Sequence, residues 1–374
     1  MAGIYLHIPF CKQGCHYCNF HFSTSLRYKP ELVTALQQEA VLRTPYLAGA
    51  PVETVYFGGG TPSLLSDAEL NGLLDTLRRQ FPLTADAEIT LEANPDDITP
   101  ERLRAWKGAG VNRLSIGTQS FFEDELRWMN RAHTAAHARQ CIEDSLAAGL
   151  NNLSIDLIYG SPLLSDERWE ENVRIATGYG VPHLSCYALT VEEKTPLHKQ
   201  IEKRQKTDVD NEQQARQFLL LMQWLKAGGY EHYEVSNFAK PGMRSRHNSS
   251  YWKGLPYLGL GPSAHSFNGT ERSWNIANNT AYIRALKEGR APQESEALTR
   301  AQRLNEYFMI SLRTIEGIDR SRVNTAATNS ERKDIEARLS VFLREGLVRE
   351  TPSGYALTDE GMLRADGLAA ELFV

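Results

Sequence analysis

Three of the chain's five cysteines, Cys11, Cys15 and Cys18, fall within eight residues. Thiolates are soft ligands, and the spacing C-x3-C-x2-C on one loop lets three of them reach three corners of an iron–sulfur cube, leaving the fourth iron open. A structural zinc ion is the rival occupant. It wants four ligands, usually in two pairs, so His16 or His21 would have to supply the fourth. Five cysteines in 374 residues are too few, and odd in number, for a disulfide scaffold. The other two, Cys141 and Cys186, lie on a helical and a strand pattern and read as small buried hydrophobes. The fold must therefore present a metal-binding loop directly after its first strand.

Short runs of β-forming residues at 4–8, 54–57, 88–91, 113–116, 153–158 and 183–189 end in polar or glycine-rich punctuation. Amphipathic helical patterns lie between and after them, at 30–43, 66–79, 99–109, 135–148, 166–177 and 210–226. Alternation at this length predicts βαβ units around a parallel sheet, an α/β fold whose six units curl into a partial (β/α)6 barrel. Ligands of such sheets gather at the C-terminal ends of the strands. The unusual residues stand there: Gly58-Gly59-Gly60-Thr61 after the second strand, Glu92 after the third, Gln119 after the fourth and Asp156 within the fifth.

Beyond about Tyr230 the periodicity fades, which divides the chain into a barrel at 1–230, an excursion at 231–298 and a C-terminal module at 299–374. Residues 237–275, rich in Asn, Ser, Gly, Tyr and Trp, are expected to be mostly loop. The last part carries helical patterns at 301–314, 332–345 and 359–372, with strands at 347–350 and 355–357 about a turn at 352–354. Helix, hairpin, helix describes a winged-helix-like module. Residues 300–374 hold 11 basic and 12 acidic side chains, too balanced for phosphate binding, and no nucleic-acid partner is expected. The net charge of −5 gives no reason to expect an anionic membrane surface as partner. No apolar run approaches the roughly 18–20 residues of a membrane span, and the first residues lack a cationic leader, so a cytoplasmic address is expected.

Cys11-x3-Cys15-x2-Cys18, with Tyr17 just before the last cysteine, resembles the signature of the radical S-adenosylmethionine (radical SAM) superfamily. The resemblance narrows through Tyr5-Leu6-His7-Ile8-Pro9-Phe10, Gly58-Gly59-Gly60-Thr61-Pro62, Glu92-Ala93-Asn94-Pro95, Gly117-Thr118-Gln119-Ser120-Phe121 and Asp156-Leu157-Ile158-Tyr159-Gly160. Together these are similar to the anaerobic coproporphyrinogen oxidase-like branch and extend through nearly the whole chain. The resemblance implies a 4Fe-4S cluster on the three cysteines, with S-adenosylmethionine chelated to the open iron. It implies Gly59, Gly60 and Thr61 near the methionine part, Glu92, Gln119 and Asp156 near the amino or ribose groups, and Arg131 on the carboxylate. Tyr5 and Tyr17 are implied near cluster and adenine, and Ala188 as a backbone position beside the adenine. Packing is nearly as good a reading of Tyr5 and Ala188.

Within the branch two functions compete. The oxygen-independent coproporphyrinogen III oxidase carries an additional cysteine just after the cluster motif, where this chain has Asn19-Phe20, and an N-terminal extension for which a first strand beginning near residue 3 leaves no room. Both departures point to the heme chaperones, proteins of this fold without that oxidase activity. His247-Asn248-Ser249-Ser250-Tyr251-Trp252 matches their H-N-x-x-Y-W element. Imidazole or phenolate can ligate heme iron and an indole can stack on the macrocycle, which makes His247, Tyr251 and Trp252 candidate heme contacts. Tyr and Trp that anchor a loop, with His247 only hydrogen-bonding, are the competing reading. Arg244 and Arg246 are candidates for the propionates. The implied partners are heme, an acceptor protein that receives it, an electron donor where the cluster is redox active, and a membrane periphery reached through such an acceptor.

Overall fold

The computed structural model describes residues 1–374. Strands and helices alternate through the first half: β1 (Ala2–Ile8), α1 (Lys29–Leu42), β2 (Val52–Gly59), α2 (Asp67–Gln80), β3 (Leu83–Ala93), α3 (Pro100–Ala109) and β4 (Arg113–Gln119). Two helices, α4 (Glu123–Trp128) and α5 (Ala135–Ala147), precede β5 (Leu153–Tyr159). Then come α6 (Asp166–Gly178), β6 (His183–Ala188), α7 (Pro196–Glu202) and α8 (Asn211–Ala227). β1 to β6 pair in sequence order and all in parallel, as the alternation predicts.

Side chains along these strands divide by period two. Ile4, Leu6 and Ile8, Val55 and Phe57, Leu114 and Ile116, and Ile155 and Leu157 are buried in one apolar core with the helices. The alternate positions carry Tyr5 and His7, Tyr56, Glu92, Ser115 and Asp156, which converge in the barrel lumen. Helix starts are set by local chemistry. Ser66 and Glu69 form a reciprocal capping box on α2, as do Thr134 and His137 on α5, satisfying amides that the first turn leaves unpaired.

Residues expected to be mostly loop are instead ordered, and they extend the sheet at both edges. After β7 (Glu231–Glu234) come β8 (Asn237–Ala239), α9 (Arg246–Trp252), β9 (Tyr257–Leu260), β10 (His265–Phe267), β11 (Glu271–Asn275), α10 (Asn279–Lys287) and β12 (Gln293–Ala297). β8 pairs with β6 and β7 with β8, while β9 pairs in parallel with β1 and leads outward to β10, β11 and β12, giving twelve strands in all. Strands of three to five residues are too short for an alternation to register in sequence, and glycine and asparagine mask them.

Glu39 of α1 clamps the added edge. Its carboxylate accepts from the Gly261 N–H at 2.8 Å, the Asn275 amide at 2.7 Å and the Tyr282 hydroxyl, and it is fully buried. Burial holds its pKa above the usual carboxylate range, and Arg43 is the nearby cation. Glu39→Ala is expected to cost about 3–5 kcal/mol in urea denaturation, because it strands four buried groups that lose their partner.

The chain ends in α11 (Arg300–Ser311), β13 (Ile318–Asp319), α12 (Arg320–Ala326), α13 (Asn329–Arg344), β14 (Val348–Glu350), β15 (Gly354–Leu357), α14 (Asp359–Met362) and α15 (Ala365–Glu371). β13, β15 and β14 form a separate antiparallel sheet, and α11 packs on both α15 and α9. The single helix expected at 359–372 is broken at Leu363 and Arg364 into α14 and α15. No helix is long and apolar enough to cross a membrane.

Candidate cofactor-binding site

The loop between β1 and α1 carries Cys11, Cys15 and Cys18, all half-buried and unpaired, into a cavity of about 410 Å³ at the C-terminal mouth of the barrel. Its fold is set by backbone bonds of its own: the Cys11 N–H donates to the Ser23 carbonyl at 3.0 Å, and the His16 N–H to the Met129 carbonyl at 3.0 Å. Burial pushes the Cys18 thiol up to about 11 and raises Cys11. Without a metal both thiols are therefore protonated at neutral pH, and metal binding must release their protons.

Every residue singled out for cluster or S-adenosylmethionine except Tyr5 lines this cavity: Tyr17, Gly59, Gly60, Thr61, Glu92, Gln119, Arg131, Asp156 and Ala188 join the three cysteines. Tyr5 faces a different space. Its hydroxyl donates to His7 Nδ1 at 3.1 Å, while His7 Nε2–H donates to the His21 carbonyl at 2.9 Å. Gly59 has φ of 105°, and a Cβ there would lie 2.4 Å from the His7 ring, so only glycine fits this strand end. Gln119 is held at φ 65°, in the left-handed region, where the β4–β5 register slips. A non-glycine residue strained at a cavity wall is a common mark of a ligand site.

Arg131 is the hub. Its Nη2 donates to the Gly117 carbonyl at 2.7 Å and the Asn94 side chain at 2.8 Å, and its Nη1 to Cys15 Sγ at 3.2 Å. Its Nε–H is buried without a partner. An orphaned guanidinium donor suits an incoming carboxylate. Glu92 accepts from the Tyr56 hydroxyl at 2.8 Å and the Gly59 N–H at 3.2 Å, yet burial pushes its pKa up to about 7. Asp156, bonded by Ser115 at 3.3 Å, is pushed up to about 6, again by burial. Two half-buried carboxyls in the cavity wall that lack a paired cation suit a ligand carrying an ammonium or ribose hydroxyls. These residues thus fit a three-thiolate cluster with S-adenosylmethionine beside it. A single zinc ion fits less well. His16 is engaged with the Trp128 carbonyl and Lys206, His21 with Asn279, and no three His, Cys, Asp or Glu side chains close around one ion.

A second cavity, of about 940 Å³, adjoins the first across Asn19 and Phe20, which line both. Tyr251 and Trp252 line it, but His247 does not. The His247 ring is only 2% exposed, with Nδ1 at 2.7 Å from Thr54 Oγ1, Nε2 at 2.8 Å from the Tyr251 hydroxyl and Tyr56 stacked on it. Burial lowers its pKa to about 3. The structure thus corrects the grouping of the three: His247 anchors α9 to β2, while the other two face open space. Arg244 is held by Glu231 and Glu316, and Arg246 by Glu53 and Asp86, so neither is free for a propionate.

Residues 5–176 match the radical SAM superfamily profile. Over its length the chain is 34% identical to the heme chaperone HemW of Bacillus subtilis, covering 97% of each. The chain belongs to the HemW family. The heme chaperones HemW of Mycobacterium tuberculosis (35% identical, covering 99% of this chain and 94% of that one) and Escherichia coli (34%, covering 100% and 98%) are similarly related. Among solved structures, coproporphyrinogen III oxidase (HemN) from Escherichia coli, described as a radical SAM enzyme, superposes with a TM-score of 0.86 at 25% identity, covering 100% of this chain and 90% of that one. The HemW family and that oxidase therefore share one fold, and radical SAM membership implies a 4Fe-4S cluster and S-adenosylmethionine.

Sequence reasoning passed over several polar residues that complete this HemW-family lumen. Thr54, His7, Ser115, Ser185 and Tyr187 sit on lumen faces and bond to, or line the lumen beside, the residues already named. Their signal was the polar half of the strand alternation, hidden because the strands were recognised by their apolar half.

Proposed function

We propose that the chain is a heme chaperone that holds a 4Fe-4S cluster on Cys11, Cys15 and Cys18, binds S-adenosylmethionine and heme, and passes heme to an acceptor protein. The observation that carries this reading is the pair of adjoining cavities: one built for a cluster and its sulfonium partner, the other larger, aromatic and separate. At their boundary stand Asn19 and Phe20, where the oxidase signature has a further cysteine.

In the first cavity Arg131 would take the carboxylate of S-adenosylmethionine with its free Nε–H, Glu92 the ammonium, and Asp156 and Gln119 the ribose. Gly59, Gly60 and Thr61 would flank the methionine chain, with Tyr17 and Ala188 closing on cluster and adenine. The cluster, when bound, supplies a one-electron couple and an open iron. Tyr5 and His7 form the partition on the side of the second cavity. Tyr251 and Trp252 would meet heme, with His247 holding the Tyr251 hydroxyl in place. A cytoplasmic setting, an electron donor and a membrane-associated acceptor belong to the same reading.

Shared architecture with the oxidase keeps oxygen-independent coproporphyrinogen III oxidation as the second reading. Supplying heme and, separately, coproporphyrinogen III to the anaerobically reconstituted protein decides between them. Stoichiometric heme binding without protoporphyrinogen formation is expected; efficient oxidative decarboxylation would overturn the proposal.

A further inference from the structure

The HemW-family element points to His247 for the iron, yet both its nitrogens are spent inside the protein. Among the histidines around the second cavity, His7 is likewise bonded at both nitrogens, and His21 Nε2 is bonded to Asn279 at 2.8 Å. His265 differs. It lines the cavity, is exposed to it and makes no hydrogen bond through either ring nitrogen. From these observations and the cavity's remaining walls, we propose that His265 is the axial ligand through which this chain holds heme iron. The inference rests on the heme-chaperone reading above.

The backbone that delivers His265 is unusual. Between β9 and β10 the chain turns through Gly261 at φ 105° and Ser263 at φ 61°. A Cβ on Gly261 would lie 2.5 Å from the His7 carbonyl oxygen, so the turn is pressed against β1. Ser263 is a left-handed non-glycine residue two positions from the imidazole, and strain of this kind persists where surrounding packing enforces a particular side-chain placement. Position 265 is thereby set at the start of β10, its ring 6.2 Å from that of Trp274.

The cavity has the composition a metalloporphyrin requires. Its volume is at the upper end of the roughly 300–1,000 Å³ typical of small-molecule sites. Tyr251, Trp252 and Tyr257 supply flat apolar faces, with Tyr251 packed edge-on to Tyr257 at 4.6 Å. On the α11–α12 side stand Arg303 and Arg322, neither paired with a carboxylate, whereas Arg272 is held by Glu306 at 2.9 Å. Arg303, and Arg322 stacked over the Tyr307 ring at 4.3 Å, line the same cavity as this unbonded imidazole, a set that matches the two propionates and the iron of one heme. Partial desolvation in the cavity wall and the neighbouring Arg272 cation lower the His265 pKa, which favours the neutral ring that can donate a nitrogen lone pair to iron. Only coordination is involved: one nitrogen–iron bond forms and no electron is transferred.

Heme titration of the full, cluster-loaded chain, read by absorption and electron paramagnetic resonance, tests this. His265→Ala is expected to weaken ferric heme binding by about tenfold or more and to remove the histidine signature, with added imidazole restoring it. His265→Tyr is expected to bind heme with a phenolate charge-transfer band, a gain of signal that a folding defect cannot produce. His137→Gln, at an exposed histidine of α5 that lines neither cavity, is expected to leave the iron signature in place. Wild-type spectrum and affinity in His265→Ala, together with no new band in His265→Tyr, overturn the assignment while leaving the chaperone reading standing. A wild-type chain that binds no heme overturns that reading itself, and this assignment with it.

Discussion

Replacing Cys15 by Ser is expected to take anaerobically reconstituted protein from about four irons per chain to almost none, with loss of the cluster's visible absorption. The far-ultraviolet circular dichroism should remain that of the wild type. Three ligands are the minimum that secures a cube while one iron stays open, so losing one leaves two thiolates at a solvent-reachable mouth. The fold survives because the ligand loop is built by its own backbone bonds to Ser23 and Met129 rather than by the metal. Cys15 also receives the Arg131 Nη1 donor, so its loss releases the guanidinium that faces the carboxylate site. S-adenosylmethionine affinity should fall together with iron content. Stoichiometric zinc in place of iron after anoxic purification would contradict the assignment.

Replacing Glu92 by Gln is expected to move stability and ligand affinity in opposite directions. The carboxyl has a pKa of about 7 in the fold against 4.5 in an unfolded chain. The folded state therefore holds the extra proton between pH 4.5 and about 7, and stability falls as pH rises through that window. Above it the wild type carries a largely desolvated carboxylate without a cation in the ligand-free state. The neutral amide removes that penalty. Ligand-free Glu92→Gln should thus melt higher than wild type at pH 8 and alike at pH 4.5, where both side chains are neutral. S-adenosylmethionine should bind about ten- to a hundredfold more weakly at pH 8, since a charge-assisted bond to its ammonium is lost. Unchanged affinity in this variant would remove Glu92 from the site. Activity traded against stability in this way is usual for a carboxylate buried to meet a cation.

Much of this is legible in the sequence. The C-x3-C-x2-C spacing named a cluster because thiolate chemistry and loop length restrict what three such ligands can hold. The strand–helix alternation named the barrel because period-two and period-3.6 patterns persist over enough residues to register. Gly59 stood out in the glycine run that ends the second strand. The flanking strands β7 to β12 were not legible, because strands of three to five residues carry almost no periodicity and the partners of β9 and β8, β1 and β6, are distant in sequence. The lumen polar set was half-visible: Glu92 and Asp156 stood out as charges, whereas Thr54, Tyr56 and Ser115 looked like ordinary strand residues.

Ligand chemistry was therefore determined by residue types and short spacings, which the chain carries with it wherever it folds. Which side chains remain free to use that chemistry was decided by tertiary structure. His247 and His265 are both histidines close to aromatic residues, and no local pattern separates them. Packing α9 against β2 surrounds the first with Thr54, Tyr56 and Tyr251 and occupies both its nitrogens. Turning the chain through Gly261 and Ser263 leaves the second with nothing to bond and a cavity in front of it. A buried polar group must find partners to offset its desolvation, and only the three-dimensional arrangement determines which groups have already done so.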